Sequence, residues 1–162
     1  MSVLLKPVSG DEKHILRNLY SLYLHDLSAY TEGLDISEDG SFEFDAFDMI
    51  WEREGLTPYF IKNHEAIAGF LLLLERPFLK NEYDLCINDI FILKKFRRKG
   101  IALSVLMELF TQKKGKYFLL ELAENIPAVT FWRKSLKELE IEFKEESKDI
   151  DGDECFVQAF QI

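Results

Sequence analysis

A turn rich in positive charge lies near the middle of the chain, between an apolar run and a segment with helical periodicity. Five cations fall within six positions: Lys94, Lys95, Arg97, Arg98 and Lys99. Gly100 follows them, and a glycine lets the backbone approach a ligand closely. The first amides of a helix lack partners and carry partial positive charge. Residues 94–102 are therefore predicted to bind an anion that carries more than one phosphate.

Two other interpretations of this basic turn stay open. A short basic turn is often only solvated, and clustered lysines and arginines also bind nucleic acid. Nucleic acid is the weaker interpretation, because no second basic face accompanies the turn and the formal net charge is −9. Neither the phosphate-loop nor the Rossmann glycine spacing occurs, which argues against those nucleotide-binding folds.

The elements around the turn predict a mixed α/β fold. Apolar runs and alternation indicate strands, and apolar residues that recur three and four positions apart indicate helices. The predicted strands are 3–8, 58–62, 66–74, 83–93, 117–123, 141–147 and 155–160. The predicted helices are 11–30, 46–54, 100–112 and 127–139. The acidic segment 149–154 reads as the turn of a final hairpin. We see no repeat or linker, so residues 1–162 are expected to form a single domain.

Composition narrows the class of protein. The chain has 48% hydrophobic residues, which suits a packed core, and no apolar stretch reaches the roughly 18 residues that span a bilayer. Its apolar start is too short for a secretory signal, so we expect a cytoplasmic protein. A pI near 4.9 argues against general binding to nucleic acid or to anionic membranes. Two cysteines are expected to be buried thiols, and three scattered histidines predict no metal site.

Three segments resemble a known family. Residues 97–102, Arg-Arg-Lys-Gly-Ile-Ala, match the R/Q-x-x-G-x-G/A signature of the GNAT (GCN5-related) N-acetyltransferases, between the fourth strand and the third helix. The preceding Asn-Asp-Ile-Phe-Ile-Leu resembles the strand that leads into it. Residues 125–132 resemble the later N-x-x-A-x-x-F-Y pattern. The resemblance implies a GNAT-like α/β fold, with a mixed, mostly antiparallel sheet of about seven strands and four helices.

The resemblance also implies acetyl-CoA as cosubstrate and assigns residues to it. The pyrophosphate would be held by Arg97, Arg98, Lys99, Gly100, Ile101 and Ala102. The backbone of Phe91, Ile92 and Leu93 would pair with the pantetheine arm, and an amide there would polarise the thioester carbonyl. Asn125 would contact the pantetheine or cap the helix that follows. Trp132 stands where the family often has a tyrosine that protonates the thiolate, and it could instead pack against the CoA arm.

Two acids are candidates for deprotonating the amine, because the family transfers the acetyl group directly within a ternary complex. Asp89 and Glu121 each interrupt an apolar strand, where an acid is unusual. Asp89 lies in the strand that meets the thioester, whereas Glu121 could instead orient the amine. Asp89 could instead be a hydrogen-bonded structural carboxylate. In place of the missing tyrosine, the phenols of the first helix are substitutes or packing residues: Tyr20, Tyr23 and Tyr30.

The acceptor is expected to be an amine on a small molecule or peptide. Residues 35–48 are strongly acidic and would attract a cationic acceptor, or form only a solvated loop. Aromatic residues near that loop could wall the acceptor pocket or attach the loop to the core: Phe42, Phe44, Phe47, Trp51 and Tyr59. Our leading hypothesis is an acetyl-CoA-dependent N-acetyltransferase. The alternative is a non-catalytic acetyl-CoA sensor, which Trp132 motivates. The resemblance also allows a homodimer.

Overall fold

The computed structural model describes residues 2–162, which form one seven-stranded sheet with helices on both faces. The strands are β1 Val3–Pro7, β2 Leu56–Asn63, β3 Ala66–Glu75, β4 Leu85–Ile92, β5 Lys116–Leu122, β6 Phe143–Ile150 and β7 Asp153–Gln161. The helices are α1 Lys13–Leu27, α2 Met49–Glu52, α3 Ile101–Gln112 and α4 Ile126–Glu138. Across the sheet the strand order is β1-β2-β3-β4-β5-β7-β6. The predicted element order is therefore confirmed.

The sheet is mostly antiparallel. Within residues 2–162, neighbouring strands run antiparallel except β4 and β5, which run parallel. A parallel pair needs a long crossover, and α3 supplies it. This arrangement confirms the mixed fold of seven strands and four helices.

Each face of the sheet carries its own apolar cluster. Val105, Leu106 and Trp132 pack from α3 and α4 onto one face. Leu16 and Tyr20 of α1 pack onto the other face, together with residues of α2 and the turn before it. Strand β3 supplies alternate residues to both clusters, which explains why residues 66–74 are almost continuously apolar.

The first helix differs from its prediction at both ends. Its entry is a 3-10 turn that begins after Ser9, where Ser9 and Glu12 form a reciprocal capping box, so Asp11 is not the cap. Its exit is at Leu27, because the Ser28 hydroxyl donates to the His25 carbonyl at 2.6 Å and the chain turns. Tyr30 continues the apolar spacing but lies beyond the helix.

Strands β6 and β7 are joined by a tight turn. Asp151 and Gly152 have φ values of 53° and 89°, as a two-residue hairpin turn requires. The predicted hairpin is confirmed, and both strands are longer than expected. Cys86 and Cys155 are both free thiols and both buried. Among residues 2–162, no helix has the length and apolarity needed to cross a bilayer.

Candidate active site

The sheet opens between its two parallel strands. Strands β4 and β5 pair only at Leu85 with Tyr117 and at Cys86 with Phe118. Beyond these pairs β4 continues to Ile92 and β5 to Leu122 without pairing to each other. The separated ends form a cleft of about 1200 Å³ between the strands. The starts of α3 and α4 and the end of α1 complete its walls.

The N-terminus of α3 presents a row of unpaired amides to this cleft. Gly100 is the N-cap and has a φ of 76°, a left-handed conformation that favours glycine. A Cβ added there would meet no atom within 4 Å. Among residues 2–162, no backbone or capping group accepts from the amides of residues 98–103. The hydrogen bonds of α3 begin with the Ser104 amide, which donates to the Gly100 carbonyl. These amides can bind an anion.

The five cations of the turn do not share one role. Arg97 connects the end of β4 to α1: its Nε donates to the Ile92 carbonyl at 2.7 Å, and its Nη2 donates to Asp26 Oδ2 at 2.9 Å. Lys94 and Arg98 line the cleft and are exposed, so they can meet an anion bound at the α3 amides. Lys95 lies over the Phe96 ring, and neither Lys95 nor Lys99 lines the cleft.

The end of β4 offers fewer backbone groups than the sequence suggested. The Leu93 amide donates to the Ala68 carbonyl at 2.8 Å, and the Leu93 carbonyl accepts from Phe96, so the Leu93 backbone is used within the fold. Along a strand, the backbone N–H and C=O groups of successive residues point to opposite sides. Those of Phe91 therefore point to β3, and those of Ile92 point into the cleft. Arg97 already occupies the Ile92 carbonyl. The Ile92 amide is therefore the group of residues 91–93 that can pair with a ligand.

A bulge in β4 sets the direction of Asp89. Leu72 pairs with Asp89 and Leu73 with Ile87, so Asn88 is an extra residue in β4. Without it, Asp89 would share the face of Ile87, towards α3. The bulge turns the Asp89 side chain to the α1 face instead. The sequence does not reveal this bulge, because Asn88 stands in an otherwise regular strand.

Phenols of α1 surround the Asp89 carboxylate. Tyr20 Oη donates to Asp89 Oδ2 at 2.8 Å, and Asn88 Nδ2 donates to the same oxygen at 3.0 Å. Burial raises the pKa of Asp89, while hydrogen bonds from Tyr20 and Asn88 and the nearby Tyr23 phenol oppose the rise. Burial and the nearby carboxylate also raise the pKa of Tyr20 and Tyr23 well above its usual value. Both phenols therefore stay protonated, and Tyr20 is the one within hydrogen-bond distance of Asp89.

Glu121 lies on the opposite face of the sheet from Asp89. Its side chain shares one face of β5 with Leu119 and Tyr117, which pack against α3 and α4. Glu121 is 6% exposed and lines the cleft. Burial raises its pKa to about 7; the hydrogen bond from Gln158 and the charge of Arg133 oppose the rise, and the neighbouring Glu145 supports it. The structure thus brings both predicted carboxylates to the cleft but does not bring them together.

The remaining predicted contacts lie at the start of α4. Asn125 Oδ1 accepts from the Ala128 amide at 3.3 Å, so Asn125 caps the helix and also lines the cleft. Trp132 is 5% exposed, packs in the core and contributes to the cleft wall. Tyr23 and Tyr30 are the phenols that line the cleft, whereas Tyr20 reaches it only through Asp89.

The acidic loop and its aromatic residues do not line this cleft. Phe44 and Phe47 pack on Tyr20, with ring centroids 4.7 and 5.9 Å from it. Arg17 donates to the Phe44 carbonyl at 3.2 Å and further attaches the loop to α1. The aromatic residues thus hold the loop to the core. Its acids are exposed, and hydrogen bonds from Ser41 and Ser37 lower the pKa of Asp39 to about 2.

Comparison with known proteins identifies the family. The model of the acetyltransferase (GNAT) family matches residues 16–137, well over half of the chain. That span contains β4, the α3 turn, β5 and the start of α4, which form the cleft. The chain therefore belongs to the GNAT acetyltransferase family. No curated protein sequence matches it.

Solved structures share the fold over the whole chain. An acetyltransferase from Thermus thermophilus has a TM-score of 0.71 and 14% identity, covering 98% of this chain and 97% of that chain. Arabidopsis thaliana NAA60 in complex with a bisubstrate analogue has a TM-score of 0.61 and 12% identity, covering 99% of each chain. A GNAT family acetyltransferase from Elizabethkingia anophelis with acetyl-CoA bound has a TM-score of 0.59 and 14% identity, covering 99% and 98%. At these identities the likeness concerns the fold.

Proposed function

We propose that the protein is an N-acetyltransferase that transfers the acetyl group of acetyl-CoA to a primary amine. The observation that carries this proposal is the row of unpaired amides at residues 98–103, which opens onto the cleft between the separated strands. A diphosphate fits there, because consecutive amides at a helix N-terminus supply donors and positive potential. Lys94 and Arg98 supply full charges beside them.

The chain's own residues provide two further functions. Bound acetyl-CoA would supply an acetyl thioester with an electrophilic carbonyl carbon. The Ile92 amide, directed into the cleft, can donate to a carbonyl oxygen and stabilise negative charge on it. Asp89 can accept a proton from an amine that approaches from the α1 face, because burial places its pKa nearer to the working pH.

The departing thiol needs no assigned acid. A thiol has a pKa of about 8.5, so a thiolate is a tolerable leaving group near neutral pH. Trp132 has an indole N–H that does not ionise usefully. The phenol of Tyr20 is held as a donor to Asp89, and the pKa of the buried Tyr23 phenol is raised well above its usual value. Tyr30 lines the cleft beyond the end of α1 and is the phenol best placed to act in addition.

We infer a cationic acceptor, either a small amine or the amine of a peptide. The exposed acids of the 35–48 loop support this inference, because they would raise the local concentration of a cation near α1. Arabidopsis thaliana NAA60 was solved with a bisubstrate analogue, which supports attack within a ternary complex.

An amine panel tests the proposal. Purified protein is incubated with acetyl-CoA and polyamines, amino acids, aminoglycosides or short peptides, and thiol release is followed. We expect amine-dependent release with at least one class. Tight acetyl-CoA binding without turnover on any amine would contradict the enzyme and favour the alternative, a non-catalytic acetyl-CoA sensor. Absence of acetyl-CoA binding would contradict both.

A further inference from the structure

On the α4 side of the cleft, one buried carboxylate oxygen has no partner. Glu121 lines the cleft, and its Oε2 accepts no hydrogen bond from any of residues 2–162. An unsatisfied buried acceptor normally costs about 1–3 kcal/mol. Such an atom in a native structure requires an explanation, and a ligand that donates to it is one. Glu121 Oε2 is therefore a candidate acceptor for a donor that enters the cleft.

A network that crosses three other elements fixes the Glu121 side chain. The Gln158 amide on β7 donates to Glu121 Oε1 at 2.6 Å and to Glu145 Oε1 at 2.8 Å. Arg133 on α4 holds Glu145 on β6 with two hydrogen bonds of 3.0 and 2.6 Å. Gln158 is fully buried, so it has no alternative solvent partner. The network holds Glu121 Oε1, and it leaves Glu121 Oε2 and Gln158 Oε1 without a partner among residues 2–162.

The position of Glu121 indicates which donor it meets. It lies on the face that carries α3, and the unpaired amides for a diphosphate begin that helix. Asp89, on the opposite face, lies with α1. A coenzyme that runs from the α3 amides to the separated strands would pass Glu121 with its pantetheine arm, which carries amide N–H groups.

We propose that ionised Glu121 accepts a hydrogen bond from an amide N–H of the pantetheine arm, with Gln158, Glu145 and Arg133 as positioning residues. This proposal rests on the proposed function, since it requires coenzyme A in the cleft. It assigns Glu121 to coenzyme binding rather than to deprotonation of the amine.

Coenzyme binding at Glu121 should release a proton. Free Glu121 has a pKa of about 7, raised mainly by burial, so it is partly protonated at neutral pH. The charged groups that face it are Glu145 on β6 and Arg133 on α4, and the thiol of Cys155 lies nearby on the other face of β7. An amide N–H donor favours the ionised form, so binding lowers the Glu121 pKa and releases a proton. Affinity therefore rises as the pH increases through about 7.

Calorimetry with 3′-dephospho-CoA measures this release directly. Removing the 3′-phosphate removes a ligand group that itself titrates near pH 6. Titrations at pH 7 in two buffers of different ionisation enthalpy give the number of protons released. We expect roughly half a proton for the wild type, because a group with a pKa near 7 is about half protonated there. Glu121→Gln should release none and bind on the order of tenfold more weakly.

Arg133→Gln tests the positioning residues through the pH profile. Arg133 lowers the Glu121 pKa, so its loss leaves Glu121 with a negative neighbour and no positive one. The pH at which affinity rises should move upwards. Lys137→Gln removes the same charge from an exposed position of α4 outside the cleft and should leave the profile unchanged. A purely structural role would weaken binding equally at all pH values.

The outcomes separate this inference from the proposed function. Wild-type protein that binds neither dephospho-CoA nor CoA contradicts both; if only CoA binds, the same titrations use CoA, and the proton count of Glu121→Gln is subtracted. Binding without proton release, or release that persists in Glu121→Gln, overturns the role of Glu121 and leaves the proposed function standing. Thermal unfolding of each variant shows that it is folded. If Glu121→Gln does not fold, the pH profile of affinity for Arg133→Gln decides: an upward shift supports the role of Glu121, and an unshifted profile overturns it.

Discussion

Asp89 and Glu121 are both carboxylates in apolar strands, yet the fold gives them different surroundings. Burial raises the pKa of each. Asp89 receives hydrogen bonds from Tyr20 and Asn88 on the α1 face. Glu121 is held through one oxygen on the α4 face, with the other unpaired. Environments that differ in this way give two carboxylates different chemical roles.

Asp89→Asn should remove the base. At pH 7, where an acceptor amine is protonated, we expect kcat/KM to fall by roughly 10²–10⁴-fold. The deficit should shrink as the pH approaches the pKa of the amine, near 10.4 for a lysine-like group, because free amine then needs no base. A pH profile of kcat/KM for both proteins checks this. Glu82→Gln, an exposed change just before β4, is the control. A small loss that is equal at every pH would make Asp89 structural.

Glu121→Gln should change how stability depends on pH. The folded-state pKa of about 7 lies above the ordinary 4.5, so the folded wild type binds more protons between these values. Its free energy of unfolding must therefore fall as the pH rises from 4.5 to 7, and then level off.

In the variant this fall is absent. The free energy of unfolding of the variant minus that of the wild type should therefore increase by on the order of 2 kcal/mol between pH 5 and 8. Urea unfolding at both pH values measures the difference. The exposed change Glu124→Gln should show no such growth. A difference in free energy of unfolding that does not vary with pH would mean that the Glu121 pKa is not raised.

At the scale of elements, the separation of β4 from β5 makes the site. Only two residue pairs join these strands, and the bulge at Asn88 follows immediately. The α3 helix begins beside the opening with its amides unpaired. In the proposed function, the strands would hold a ligand from both sides, and the helix terminus would hold its anion.

Gly100→Asp should disrupt the helix terminus as an anion site. The new carboxylate would occupy the open space beside the amides and repel a diphosphate. We expect the Kd for CoA to increase by roughly 100-fold. Gly152→Asp is a matched control, since Gly152 also has a positive φ of 89° and open space, but lies at the β6–β7 turn. Both changes cost about 1 kcal/mol of stability. Similar Kd values for the two variants would contradict the site.

The sequence predicted the elements well because continuous apolar runs mark β3 and β5 and an apolar stripe with helical periodicity marks α3. It also predicted the helix start at Gly100, because glycine and the first helical amides are local features; that this terminus binds an anion stays a prediction. The bulge at Asn88 and the orientation of Arg97 depend on partners distant in sequence, so no local pattern revealed them. The same holds for the network of Gln158, Glu145 and Arg133. A Gln in an apolar strand was the available signal, and it was missed.

At the scale of the whole molecule, charge is distributed unevenly. The chain carries a formal net charge of −9, yet Lys94 and Arg98 line the cleft beside the α3 amides; Lys134 also lines it and pairs with Glu138 at 3.8 Å. Six exposed acids lie in the 35–48 loop beside α1. An anionic coenzyme and a cationic acceptor would therefore be drawn to different sides of the sheet.

Neutralising the loop should weaken capture of a cationic acceptor. For the triple change Asp35→Asn, Glu38→Gln and Glu43→Gln, we expect a severalfold higher KM for the amine and an unchanged Kd for CoA. The effect should diminish at high ionic strength, because exposed charges are screened beyond about 10 Å at 0.1 M salt.

The control is a second triple change on exposed acids around the start of β6: Glu140→Gln, Glu142→Gln and Glu146→Gln. It removes the same charge and should leave the KM unaffected. Equal effects of the two triple variants would show that overall charge, rather than the loop, attracts the acceptor.

The central claim is that the α3 amides bind the diphosphate of the coenzyme. Amide NMR spectra during a CoA titration test it most directly, because each amide of residues 98–103 reports its own hydrogen bond. We expect the proton resonances of these amides to move downfield on binding, by more than those of the other helix N-termini. CoA binding that leaves residues 98–103 unperturbed would contradict the account.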